Sequence, residues 1–177
     1  MKSPKLFLAG MYLHLALSVA VPAVVLFAGE WAALGEGLFV FYLVFIGLLQ
    51  IIGWGTVAMA ARAAGKGETG RLMKAWALLK LGSIPFFVLN FLYSAVVWFL
   101  IVAASRGIFL ILLPIPIAIT CFLILETGCV GCFAIKVLRR QPPPVPGKLH
   151  YLLQLLPVAD VISTLVLLAK EKKRQTE

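Results

Sequence analysis

Long apolar stretches separated by short polar ones dominate the chain. Four strong stretches run over about residues 6–28, 38–61, 75–104 and 108–138, and a fifth over 149–169 is more broken. The hydrocarbon core of a bilayer is ~30 Å thick and takes ~20 helical residues to cross. The pattern therefore predicts an all-α integral membrane protein, a four-transmembrane-helix bundle with a C-terminal interfacial or re-entrant helical segment on the cytoplasmic side.

Proline divides this last part from the bundle. Residues 1–140 form the predicted bundle, 141–148 (QPPPVPGK) a stiff Pro-rich linker, and 149–177 an amphipathic or re-entrant helix with a basic tail. Pro157 falls inside the last segment, where it suits the first turn of a new helix. We therefore expect a break between two helical arms at Pro157.

Composition excludes a soluble domain, because the chain is 62% hydrophobic and only 13% charged. Its net charge of +9 would suit nucleic acid, but the basic residues lie between the apolar stretches, as membrane topology requires. We expect no nucleic-acid partner and instead a bilayer containing anionic lipids. The predicted lipid head-group contacts are Arg139, Arg140, Lys170, Lys172, Lys173 and Arg174.

The basic residues also predict orientation. With four crossings, fifteen of the sixteen Lys and Arg residues face one side, and only Arg106 faces the other. The positive-inside rule makes that side cytoplasmic. This predicts a multi-pass protein of the cell (inner or plasma) membrane with both termini in the cytoplasm. A fifth crossing over 149–169 remains the alternative. It would move four basic residues to the outer side, so that eleven of the sixteen Lys and Arg residues would face the cytoplasm and five would face outwards.

Glu126 is the only carboxylate in the four strong stretches. An ionisable group at membrane depth is a candidate functional site. Counting ~1.5 Å per residue from the cytoplasmic helix ends puts four polar side chains, one on each helix, at similar depths of ~12–16 Å. With a neighbouring serine, they form the predicted intramembrane polar layer: Glu126, His14, Gln50, Asn90 and Ser94.

Two interpretations of this layer stay open. In the first, Glu126 lines a water-accessible cavity or binds a proton or cation, with His14 as its titratable partner. In the second, a protonated Glu126 is buried and hydrogen-bonded to Asn90 or Gln50. The amides and Ser94 can also simply join helices through hydrogen bonds worth typically ~0.6 kcal/mol each.

All three cysteines lie in the fourth stretch. Cys129 and Cys132 form a CxxC pair that invites a redox interpretation, but they lie near the predicted cytoplasmic face, where thiols stay reduced. Helix packing explains the pattern more simply, because Cys121, Gly128 and Cys132 share one helix face and small residues let helices approach closely. The two histidines show no metal-ligand spacing. We predict no metal and no cofactor.

Asp160 is the second unusual acid. On a segment that dips towards the bundle it could pair with Lys80 or Lys148 and anchor that segment. The alternative is an acid that only favours the positive N-terminal end of its own helix.

Three functional classes follow. The first is an oligomeric channel or transporter whose pathway includes the polar layer around Glu126. The second is a non-catalytic accessory or scaffold subunit that binds a partner membrane protein or lipid. An intramembrane lipid or thiol enzyme is the third, but no nucleophile–base pair supports it. A chain this small is expected to self-associate or to bind a partner membrane protein.

Overall fold

The computed structural model describes residues 3–27, 32–104, 106–107, 110–111, 113–140, 149–154 and 157–176, and for 23, 25–27, 32–35, 101, 104, 157–158 and 171–176 it describes the backbone alone. The predicted Pro-rich linker, 141–148, lies outside these residues. Within them the chain is helical and contains no strand. The helices are α1 (Ser3–Phe27), α2 (Ala32–Gly65), α3 (Thr69–Ala104), α4 (Pro114–Leu138), α5 (Leu149–Leu153) and α6 (Pro157–Thr176).

Four helices in the described part are long and apolar enough to cross a membrane: α1, α2, α3 and α4. By composition the protein is therefore a multi-pass membrane protein. α2 has 34 residues and α3 has 36, so at 1.5 Å per residue each measures more than ~50 Å and exceeds the hydrocarbon thickness.

The basic connector between the second and third stretches is mostly helix. α2 continues to Gly65 and α3 begins at Thr69, six residues before the predicted start at 75. Alanines near the end of α2 favour helix, and buried Leu72 and Trp76 hold the start of α3 in place. The turn between them uses Gly67, whose φ of 71° suits a residue without a side chain.

The fourth helix starts later than the sequence pattern indicated. α4 begins at Pro114, not at 108. A proline in the first helical turn costs no hydrogen bond, because the N–H it lacks would have no partner there. Before it the chain turns at Arg106 and Gly107, which have φ of 52° and 89°. The N–H of Gly107 closes this turn on the carbonyl of Val102 at 2.9 Å.

The core lies mainly at one end of the bundle, which we call the basic end: the end where α2 joins α3 and α4 finishes, marked by Arg62, Arg71 and Arg139. Large buried side chains there include Leu72, Trp76, Leu79, Ile135, Leu138 and Leu167. Towards the other end the large apolar side chains point outwards; Phe91 is 72% exposed and Phe99 is 74% exposed. Such a surface suits contact with lipid chains.

α5 and α6 form a helical hairpin, here called the C-terminal hairpin, against the basic end. On α5, Tyr151 lies beside Arg139 at the end of α4, and Gln154 lies further in, beside Gly131. On α6, Asp160 contacts Lys80 on α3. α5 therefore runs inwards along α4, and α6, which begins at Pro157, packs against α3.

Candidate functional site

Lys80 and Asp160 form the predicted ion pair between α3 and the C-terminal hairpin. Only 2% of Lys80 and 6% of Asp160 are exposed. Lys80 Nζ donates to Asp160 Oδ2, and the Thr164 hydroxyl donates to Asp160 Oδ1 at 3.5 Å. Burial raises the pKa of Asp160 above its ordinary value, whereas the Lys80 ammonium and the Thr164 hydroxyl act in the opposite direction. The carboxylate therefore depends on the ammonium to remain ionised.

A buried amide extends this polar contact. Gln154 is fully buried, and its Oε1 accepts a hydrogen bond from Trp76 Nε1 at 3.4 Å. Its Nε2 donates to the hydroxyls of Ser163 and Thr164 at 3.5 and 3.4 Å. Ser163 Oγ also lies 2.7 Å from His150 Nδ1. Sequence reasoning missed this network; a glutamine inside an apolar segment was its only signal.

Gly131 on α4 provides the space for that amide. A Cβ atom at this position would overlap the carboxamide of Gln154 and would come within 3.0 Å of Trp76 Nε1. The missing side chain therefore lets the C-terminal hairpin approach the α4 backbone. This close approach is a second anchor beside the ion pair.

Glu126 lies between α4 and α2. It is fully buried, and neither of its carboxylate oxygens has a hydrogen-bond partner among the described residues. The carboxylate lies against Gly53, where a Cβ atom would overlap it. Gln50 is one turn away on α2, and its Nε2 is likewise buried without a partner. Gln50 and Glu126 thus lie at neighbouring levels of the bundle, and each has a buried polar atom without a hydrogen-bond partner among the described residues.

The structure does not bring His14 and Glu126 together. The His14 ring stacks on Tyr42, with ring centroids 5.6 Å apart, and His14 Nδ1 lies 3.3 Å from the Tyr42 hydroxyl. Tyr42 precedes Gly53 by eleven residues on α2, which corresponds to ~16 Å along the helix. His14 and Glu126 consequently occupy different levels of the bundle.

Asn90 pairs with α4. Its Nδ2 donates to the hydroxyl of Thr120 at 3.1 Å, and that hydroxyl is also 3.0 Å from the carbonyl of Pro116. Thr120 precedes Glu126 by six residues, or ~9 Å along α4. The predicted polar layer is thus not one cluster: His14 pairs with Tyr42 and Asn90 with Thr120, whereas Glu126 and Gln50 each keep a buried polar atom without a hydrogen-bond partner in the described part of the chain.

Between α3 and α4 lies an elongated cavity, here called the α3–α4 groove. Its inner part, next to the C-terminal hairpin, has a volume of about 550 Å³, and the part beyond it has about 320 Å³. Phe91 and Thr120 line both parts, so the two parts adjoin. Polar residues on its wall are Lys80, Ser83, Thr127 and Asp160 in the inner part and Asn90, Ser94, Thr120 and Cys121 in the outer part.

The cysteine face of α4 is only partly covered. Gly128 is buried and Cys132 is half-buried, with its sulfur 4.0 Å from the carbonyl oxygen of Tyr151 in the C-terminal hairpin. Cys121 on the same face is exposed and lines the groove, so it does not take part in the predicted packing. The reason is that the hairpin covers this face only near the basic end. In the described residues, no group of His, Cys, Asp and Glu is arranged to hold a metal ion.

The predicted head-group contacts lie at the basic end and on α6. Arg139 and Arg140 are exposed, and the Arg139 guanidinium lies 5.8 Å from the centre of the Tyr151 ring. Lys170 is exposed on α6, whereas the side chains of Lys172, Lys173 and Arg174 lie outside the described residues. Contact of these residues with lipid stays a prediction.

Comparison with known families places almost the whole chain in one group. Residues 2–173 match a family described as "Family of unknown function (DUF6652)". No curated protein and no solved structure matches the chain.

Proposed function

The chain belongs to this family of unknown function, and we propose that it is a small channel or transporter subunit in which Glu126 binds a proton or cation between α2 and α4. One observation carries the proposal: a fully buried carboxylate whose two oxygens have no hydrogen-bond partner in the described part of the chain. An ionised carboxylate at the centre of a membrane helix costs ~2.5 kcal/mol or more, so a bound proton or cation would remove a real penalty.

Gln50 supports the proton-bound form. A protonated Glu126 could donate its O–H to the Gln50 carbonyl while the Gln50 amide donates back to the carboxyl group. Such a reciprocal pair would satisfy both Gln50 Nε2 and Glu126, which otherwise lie buried without partners. A glutamine at position 126 could make neutral hydrogen bonds at lower cost, so the carboxyl group points to a role in which the proton leaves and returns.

Transport requires that this contact open. Glu126 lies against Gly53 of α2 and is not among the residues that line the α3–α4 groove. Movement of α2 relative to α4 would therefore expose the carboxyl group. In this proposal a second copy of the chain or a partner membrane protein completes the pathway, as expected for a bundle of this size.

Flux measurements test the role of Glu126. In liposomes with a pH gradient we expect proton flux from the wild-type protein and a loss of about tenfold or more in Glu126→Gln, because this change removes the titratable group and keeps its size. The matched control is Glu36→Gln, the same substitution at an exposed position. Equal flux in Glu126→Gln and the wild type would contradict the proposal. Absence of flux in the wild type would also contradict it and would favour the accessory role.

We further propose that the basic end faces the cytoplasm of a cell (inner or plasma) membrane, with both termini on that side. The basic connector between α2 and α3, the end of α4 and the C-terminal hairpin all lie at this end, which supports the proposal.

Reporter fusions test this orientation. Green fluorescent protein fused after Glu177 should fluoresce, and alkaline phosphatase fused there should be inactive, because the phosphatase folds only outside the cytoplasm. Truncation and fusion at Arg106 should give the opposite pair of results. Phosphatase activity at both fusions would mean that the last segment crosses the membrane, and activity at the C-terminal fusion alone would mean that the bundle has the opposite orientation.

A further inference from the structure

The α3–α4 groove has the length and position of a lipid-facing site. Lining residues of its inner part on α3 extend from Lys80 to Leu92, twelve residues or ~18 Å, which is slightly more than the half of the ~30 Å hydrocarbon core that the acyl chains of one leaflet fill. Its walls are mainly apolar, with Phe87, Val88 and Ile124 among them. A groove of this kind gains dispersion contacts only when hydrocarbon fills it.

The inner end of the groove differs from the rest. Lys80 and Asp160 both line it, and both are more than nine-tenths buried. They are the charged members of the lining described for the groove, and their charges cancel. A molecule bound in the groove would therefore contact apolar walls along its length. At the end next to the basic end it would contact one positive and one negative side chain, whose charges sum to zero.

From this arrangement we infer that the groove binds a phospholipid of the phosphatidylethanolamine type. One acyl chain lies along the apolar wall, the phosphate faces the Lys80 ammonium, and the primary ammonium of the head group faces the Asp160 carboxylate.

The pair of charges distinguishes this head group from others. A zwitterion adds no net charge to a site that is largely out of water, whereas an anionic lipid would leave one uncompensated negative charge there. A choline head group is also zwitterionic, but it has no N–H with which to donate a hydrogen bond to Asp160. The hydroxyls of Ser83 and Thr127 add to this preference. Both donate to carbonyls of their own helices, at 3.2 and 2.9 Å, so towards a ligand they act as acceptors.

Native mass spectrometry provides the test. Delipidated full-length protein is incubated with an equimolar mixture of phosphatidylethanolamine, phosphatidylcholine and phosphatidylglycerol carrying identical acyl chains. We expect one retained lipid per chain, with the ethanolamine lipid several-fold more abundant than either of the others. Equal retention of the three lipids, preference for another head group, or retention of none would overturn the inference.

Two neighbouring substitutions locate the lipid. Val88 and Leu89 are adjacent on α3 and similarly exposed, at 53% and 50%, but only Val88 belongs to the lining described for the groove. Val88→Trp should fill the groove and lower the retained ethanolamine lipid several-fold, whereas Leu89→Trp should leave it unchanged. Thermal unfolding of both variants checks that they are folded. Equal retention by the two folded variants would overturn the placement in the groove.

Discussion

Replacing Lys80 by methionine is expected to lower the free energy of unfolding by about 3–5 kcal/mol, the usual cost of leaving one member of a buried ion pair alone. The loss comes from Asp160, which would keep its burial and lose its ammonium partner. Reversible unfolding in detergent micelles measures it. Lys74→Met is the matched control, because Lys74 is an exposed residue of the same helix. A loss no greater than that of Lys74→Met would show that the pair does not hold the C-terminal hairpin.

The loss of stability in the Lys80→Met variant should depend on pH in a defined direction. Without Lys80, burial raises the pKa of Asp160 unopposed by the ammonium, so the folded state binds a proton more readily than the unfolded state. The destabilisation should then be small near the unfolded pKa of ~3.9 and should grow as the pH rises towards the folded pKa. The double variant Lys80→Met/Asp160→Leu should recover much of the stability, because apolar replacement of a whole buried pair is often neutral.

Substituting Gly131 by alanine is expected to destabilise the protein by about 1–3 kcal/mol, the cost of leaving buried polar groups unpaired. The new methyl group would displace the Gln154 carboxamide from its contacts with Trp76. It should also loosen the C-terminal hairpin and raise the rate at which Cys132 reacts with a thiol reagent, since Tyr151 lies over that sulfur. Unfolding and thiol labelling report the two effects separately.

The control for this change has the opposite expected sign. Gly55 on α2 has no neighbouring atom within 4 Å of an added Cβ, so Gly55→Ala should stabilise the helix by up to ~1 kcal/mol. Similar stability of the two variants would show that the space at Gly131 is not needed. If Gly131→Ala is destabilised but its Cys132 is labelled at the wild-type rate, the loss of stability does not come from the C-terminal hairpin.

The sequence was sufficient to predict the four long helices, and it narrowed the partner of Asp160 to two lysines without deciding whether an ion pair forms. Apolar length sets the number of helices, and a buried aspartate requires a cation, of which Lys80 was one of two candidates. The start of α6 at Pro157 could also be predicted, because a proline fits the first turn of a helix and not its interior.

The division of the polar layer could not be predicted, for two physical reasons. Depth was counted from assumed helix ends, and α2 runs four residues beyond its predicted end at 61, an error of ~6 Å. Spacing along a helix also does not say which neighbour a residue faces. Glu126 faces Gly53, a residue whose importance comes only from the space it leaves, and Gln154 contacts Trp76, seventy-eight residues away in the sequence.

The uneven distribution of the core has a consequence for motion. Since most large buried side chains lie at the basic end, the helices pack most tightly there and have fewer buried contacts towards the opposite end. Thermal fluctuations should therefore spread the helices first at the opposite end, with the basic end acting as the pivot. Amide hydrogens near Tyr42 and Phe99 would then exchange with solvent sooner than those near Trp76. A water molecule would reach Glu126 from the end opposite the basic end.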